Sequence, residues 1–141
     1  MKPHGALYNL AAADEHIASV IIEVMKRFGL NLKLYVPYKS VIAKLAIQNK
    51  IPIVYEVFAD RNYNDDLTLV SRQEKDALID DENELFEHVF RMISKGKVKT
   101  IQGHEIGIKA NTFCIHGDHP KVVILIKNLK EKLELHGIKI R

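Results

Sequence analysis

Three short segments combine residue types that do chemistry. His116, Gly117 and Asp118 place an imidazole and a carboxylate two positions apart on a glycine-bearing loop. A helix follows that loop, and amide donors and the macrodipole at its start favour anions. Asp60 and Arg61 come directly after an apolar run that reads as a strand. A carboxylate poised by a cation could do acid–base work there, or the two could be a structural ion pair. Lys2, Pro3, His4 and Gly5 hold an imidazole between a stiff residue and a free one, a mount suited to proton transfer. The plainer readings are an exposed histidine at His4 and a helix cap at Asp118.

The other histidines carry less weight. His16 and His88 fall on helices and His104 and His136 in or beside turns, which reads as solvated surface; His119 could extend the HGD cluster. Cys114, inside an apolar strand, reads as a core residue rather than a nucleophile. His4, Asp60, His116 and Asp118 could converge from separate loops on a metal, but neither HExxH nor paired CxxC spacing is present, so no metal ligands are predicted. GxxxxGK[ST] and GxGxxG are absent as well, which leaves any nucleotide to be held by other means.

These segments need a scaffold, and the composition is that of one folded domain: 141 residues, 47% hydrophobic and 28% charged. The single cysteine cannot form an internal bridge, and the absence of a leader pattern suggests a reducing, cytoplasmic setting. The apolar runs Ile17 to Met25 and Val122 to Ile126 are broken by charge well before the ~20 residues of a membrane span. Lys and Arg number 21 against 18 Asp and Glu and form no basic stripe, which argues against nucleic acid or an anionic membrane as partner.

Residues 1–10 read as a loop, because Pro3 and Gly5 disfavour helix and strand alike. A helix runs from Asp14 as N-cap to Gly29 as C-cap, with Ile17, Val20, Ile21, Val24 and Phe28 as its apolar face. Leu32 to Val36 reads as a strand, and Ser40 caps a helix with Val41, Ile42, Leu45 and Ala46 inside, closed by Asn49. Ile53 to Phe58 reads as a buried parallel strand interrupted only by Glu56. The stretch 59–81 is a long polar loop with an extended piece at Leu67 to Val70. A helix from Asp81 to Gly96 buries Leu85, Phe86, Val89, Phe90 and Ile93. Val98 to Ile101 and Glu105 to Lys109 form a hairpin around Gly103, and Thr112 to Ile115 is a strand. Pro120 opens the last helix, whose face is Val122, Val123, Ile126, Leu129 and Leu133; Gly137 ends it before a strand at Ile138 to Ile140. Helix and strand alternate, which predicts an α/β fold of parallel β/α units with one inserted hairpin. In such folds ligands bind beyond the carboxyl ends of the strands, where the three segments lie. The chain opens with no strand to feed its first helix, so it reads as a single domain, the later part of a larger one.

KPHGALYN at 2–9, FADRNY at 58–63, LVSR at 69–72 and TFCIHGDHP at 112–120 together resemble the LamB/YcsF family of 5-oxoprolinase A subunits. The resemblance runs through essentially all of the chain in the right order. It implies an incomplete TIM-like barrel, similar to the glycoside hydrolase/deacetylase superfamily. Family members carry a further N-terminal stretch with an acidic, glycine-bearing motif, additional histidines and a strand before KPHG, relative to which this chain is truncated. The implied activity is ATP-dependent opening of 5-oxo-L-proline to L-glutamate, with ATP as co-substrate and partner subunits B and C. A divalent cation is left open. A lactam is an unreactive amide, and phosphorylating its oxygen makes a species that water can attack, given donors for the developing charge and a base for the water. On this resemblance His4, Asp60 and His116 are acid–base candidates, and Arg61 and Lys2 stabilise negative charge. Asp118 orients His116 or a cation, and Lys2, Tyr8, Asn9, Tyr63 and Arg72 bind substrate. The sequence departs from the family where Leu67 follows Asp66 and where Asp76 stands, positions at which glycine is common and usually serves a positive φ. Two alternatives remain: a metal-assisted deacetylase-type hydrolase, and a non-catalytic remnant that docks to the partner subunits. An uncovered sheet edge would also favour a homo-oligomer.

Overall fold

Side-chain caps set most of the helix starts. Asp14 accepts the N–H of Ile17, Ser40 that of Ala43, and Asp81 those of Asn83 and Glu84, so orphan donors of each first turn are satisfied. Gly29 and Gly96 end two helices in the left-handed conformation, where a side chain would be strained. The computed structural model describes residues 1–29, 32–118 and 121–140. In chain order the elements are α1 (Ala6–Ala13), α2 (Glu15–Phe28), β1 (Leu34–Val36), α3 (Val41–Gln48), β2 (Ile53–Phe58), α4 (Glu82–Lys95), β3 (Lys97–Lys99), β4 (Glu105–Gly107), β5 (Thr112–Cys114) and α5 (Val122–Leu135). The fold is α/β with β1 and β2 parallel, in a sheet of order β1-β2-β5, while β3 and β4 form the expected antiparallel hairpin.

The chain divides into two compact units, Met1–Val57 with Ala110–Thr112, and Phe58–Lys109 with Phe113–Arg141. In the first, α1, α2 and α3 pack through small residues: Ala11, Ala18, Ala43 and Ala46 are fully or almost fully buried beside Ile21, Ile22, Met25, Leu34, Val36 and Ile42. The Met1 ammonium donates to the Lys33 carbonyl, and Tyr35 N–H donates to the Met1 carbonyl, so Met1 lies along the edge of β1. In the second, Leu125, Leu129 and Leu133 of α5 close over Ile79, Leu85, Phe86 and Val89. There the end of β2 is tied to β5 by the Ala59 N–H on the Cys114 carbonyl.

Several expectations need correction. The opening segment is not all loop, because Ala6–Ala13 is rich in alanine and leucine and forms α1. Pro3 and Gly5 stand outside it, and Gly5 occupies its N-cap at φ 58°, ψ −138°, a region for glycine alone. The buried stripe of α2 is Ala18, Ile21, Ile22 and Met25, with Val20, Val24 and Phe28 exposed; alanine at 18 allows the closer helix approach. Likewise α5 buries Leu125, Leu129 and Leu133 and leaves Val123 and Ile126 exposed. Ile93 of α4 is exposed too. Leu32 and Lys33 precede the strand, and residues 138–140 form none. Gly137, at φ 78°, turns the chain so that the Ile138 N–H returns to the Leu133 carbonyl. His119 and the start expected at Pro120 lie outside the described residues.

His88 is the sharpest departure, being 7% exposed among Leu85, Val89 and Met92 of α4. Burial pushes its pKa from 6.5 down to about 4; the Phe58 and Arg61 carbonyls and Asp60 oppose the fall, and Arg91 assists it. The unfolded chain therefore protonates this ring near pH 6.5 while the folded protein stays neutral to about pH 4. His88 leaves stability whole above pH 6.5 and erodes it between 6.5 and 4, by a total of about 3 kcal/mol. Urea unfolding at pH 7 and pH 4 should show that His88→Gln loses about 3 kcal/mol less than wild type across this interval; equal losses would mean that His88 is not held neutral.

Candidate active site

Asp60 and His116 follow β2 and β5, and the second unit brings them into direct contact. Asp60 Oδ2 accepts the backbone N–H of His116 at 2.8 Å, and His116 Nδ1 lies 2.9 and 3.1 Å from the two carboxylate oxygens. A carboxylate only accepts, so Nδ1 carries a proton, and in the neutral ring the lone pair falls on Nε2. The Phe58 ring stacks on the imidazole, with centroids 5.4 Å apart and planes within 12°. The two side chains are 13% and 27% exposed. They border a cleft of about 230 Å³ lined also by Arg72, Asp80 and Asp118 and walled by Leu78, Ile79, Leu85, Ile115, Val122 and Leu125. That size suits a small ligand, since drug-sized pockets begin at about 300 Å³.

The loop between β2 and α4 supplies the rest of the rim. Arg61 is buried with its guanidinium turned to the chain, Nη2 donating to the Val70 carbonyl at 2.5 Å and Nε to that of Ala77 at 3.3 Å. Burial lowers its pKa, assisted by Arg72 and opposed by Asp60. The partner of Asp60 is thus His116 rather than Arg61, and Arg61 fastens the loop. Arg72 meets Asp118 at 3.6 Å, and both are at least half exposed. Asp118 is not the cap of α5, whose N-cap position is Lys121 and carries no side-chain capping bond. Tyr63 is buried, its hydroxyl accepting the Phe58 N–H at 2.8 Å. Leu67, in the place of the expected glycine, adopts φ 67°. Of the expected residues in this unit, the cleft gathers Asp60, Arg72, His116 and Asp118 and not Arg61 or Tyr63.

Lys2, His4, Tyr8 and Asn9 belong to the first unit. Lys2 Nζ lies 2.9 and 2.7 Å from the two oxygens of Glu56, a buried carboxylate on β2, and 5.4 Å from the centroid of the buried Tyr8 ring. His4 and Asn9 are exposed. Glu56 escaped notice as a functional residue, although a lone charge in an apolar strand was the signal. His88 escaped because its register in the α4 stripe was given less weight than its polarity. Among the described residues no three His, Cys, Asp or Glu side chains gather as a metal site.

An α/β fold with a carboxylate-held imidazole just past its strand ends has the layout of β/α proteins that bind ligands there. The chain belongs to the LamB/YcsF family, whose model it matches over residues 1–141. It is 44% identical over 139 residues to the 5-oxoprolinase A subunit of Campylobacter jejuni subsp. doylei, covering 99% of this chain and 54% of that protein. The 5-oxoprolinase A subunit of Haemophilus influenzae strain PittEE is 41% identical over 99% of this chain and 57% of its own. The crystal structure of a lactam utilization protein from Thermus thermophilus superimposes with a TM-score of 0.88 at 33% identity, covering 99% of this chain and 56% of the other. The chain spans about half the length of the curated relatives it matches.

The Lys2–Glu56 pair is directly testable. Lys2→Met leaves a carboxylate buried without its cation and should cost about 3 kcal/mol in urea unfolding. Adding Glu56→Leu should recover most of that loss, since the double variant buries no charge; two simply additive losses would show that the ions do not depend on each other.

Proposed function

We propose that this chain is the catalytic portion of a 5-oxoprolinase A subunit, with Asp60 and His116 as the acid–base pair that opens 5-oxo-L-proline. The carrying observation is the Asp60–His116 contact on a small cleft, in a chain 44% identical to a protein of that name. In the net reaction 5-oxoproline, ATP and two molecules of water give glutamate, ADP and phosphate, one water opening the amide and the other releasing the phosphoryl group as phosphate. His116 Nε2 takes the proton of the attacking water and returns one to the ring nitrogen as the amide C–N bond breaks. Asp60 holds the imidazole in the required tautomer and steadies its charged form.

Arg72 is assigned to the substrate carboxylate. Its exposed pairing with Asp118 is worth at most about 1 kcal/mol, so Arg72 can exchange that partner for an incoming anion. The same cleft does not fit the triphosphate of ATP, because Arg72 is set among the carboxylates of Asp60, Asp80 and Asp118. The nucleotide and the phosphoryl step are therefore assigned outside it, within an assembly with subunits B and C. The sheet is read as part of an incomplete β/α barrel, a reading supported by the hydrogen bonds of Met1 along β1.

In the assembled enzyme, Asp60→Asn should lower glutamate formation at least ~100-fold with the circular dichroism of the protein unchanged; undiminished turnover would remove Asp60 from the mechanism. Arg72→Met should raise KM for 5-oxoproline about tenfold with kcat within about twofold. An unchanged KM would take substrate binding away from Arg72.

A further inference from the structure

The ladder between β1 and β2 ends at Val36 and Tyr55, so a later amide on that side of β2 needs another acceptor. For Phe58 the acceptor is a side chain, the Tyr63 hydroxyl, 2.8 Å from the Phe58 nitrogen in a buried setting. Tyr63 is 4% exposed and is itself held from two directions. Its carbonyl accepts the Ile101 N–H at 2.9 Å, and its ring lies within 22° of parallel to that of His88 with centroids 6.1 Å apart. Phe58 in turn lays its ring along one face of the His116 imidazole, with planes within 12°. The next amide, that of Ala59, is tied to the Cys114 carbonyl, two residues before His116. A phenylalanine at 63 would fill the same buried place without the desolvation that a hydroxyl costs. What the hydroxyl adds is the acceptor for Phe58.

We propose that Tyr63 is a positioning residue: by taking the Phe58 N–H, its hydroxyl holds the Phe58 ring flat against His116, so that the imidazole keeps Nδ1 on the Asp60 carboxylate. This rests on the reading of Asp60 and His116 as the acid–base pair. Tyr63 does not line the cleft; it acts through Phe58 and binds no substrate. Asp60 holds the imidazole at one edge and Phe58 across its face, and the two together leave the ring little freedom to swing away from the carboxylate.

The test reads the contact before the activity. In Tyr63→Phe of the 141-residue chain, the Phe58 amide should exchange its hydrogen faster by at least about tenfold more than the amides of Leu85 and Val89 do, which separates a local release from a general loss of stability. Nuclear Overhauser contacts between the Phe58 and His116 rings should weaken in the same variant. In the assembled enzyme Tyr63→Phe and Phe58→Leu should each lose about tenfold in kcat with KM within about twofold. The double variant should lose no more than Phe58→Leu alone, because the hydroxyl acts only through that ring. Losses that multiply to about a hundredfold overturn the proposal, as does a Tyr63→Phe that keeps its ring contacts and its kcat. A raised KM in Tyr63→Phe would make Tyr63 a substrate contact and overturn it too. If Tyr63→Phe does not fold, the wild-type chain decides: a Phe58 amide that exchanges as slowly as that of Ala59 supports the hydroxyl bond, and one that exchanges freely overturns it. Weakened ring contacts in Tyr63→Phe together with undiminished turnover of Asp60→Asn would support the positioning and overturn the acid–base reading instead.

Discussion

A carboxylate withdrawn from water must be given donors, or it takes up a proton. Asp60 is 13% exposed, and one residue, His116, gives it both a backbone and a ring N–H, across 56 positions of sequence. Much else in the second unit follows from that requirement. The ends of β2 and β5 must come together, the imidazole must present its other nitrogen outward, and the loop after β2 must be stiff enough to keep the carboxylate aimed. The leucines of α5, closed over α4, hold these parts near one another without specifying which side chains meet. The hydrogen bonds make that choice.

The two units use charge in opposite ways. The Lys2 ammonium and the Glu56 carboxylate each supply what burial takes from the other, so each depends on its partner. Arg61 is instead a buried cation whose nearest acceptors are neutral carbonyls. Its planar fork reaches two separate strands of loop at once, a geometry that a lysine ammonium does not reproduce. A cation next to an aspartate in sequence thus ends as a loop fastener, and the aspartate finds its partner elsewhere.

The elements were readable wherever the local chemistry was complete. Asp14, Ser40 and Asp81 cap the helices they were expected to cap, and Gly29 and Gly96 close two of them. The start of the chain misled because Pro3 and Gly5 hid the strong helix formers behind them. On α2 two stripes share the helical period, and the packing of Ala18 against other alanines selects between them, a fact no single helix contains. The types of residue that border the cleft were readable as well, because Asp60 and His116 follow strands. Their pairing was not, since nothing local says which carboxylate will reach which imidazole. Leu67 stands where glycine was expected and yet takes a positive φ, so the fold of the loop overrides the preference of that residue.

The fastening of Arg61 also orders the cost of building the site. Its bond to Val70 closes a ring of 9 positions, whereas Asp60 to His116 closes one of 56. The difference in chain entropy is about 1.5 kcal/mol in favour of the shorter ring, and loops of about ten residues close within ~100 ns. The floor beneath the carboxylate is therefore cheap and fast to assemble, and it reduces the freedom still to be lost when the distant histidine arrives.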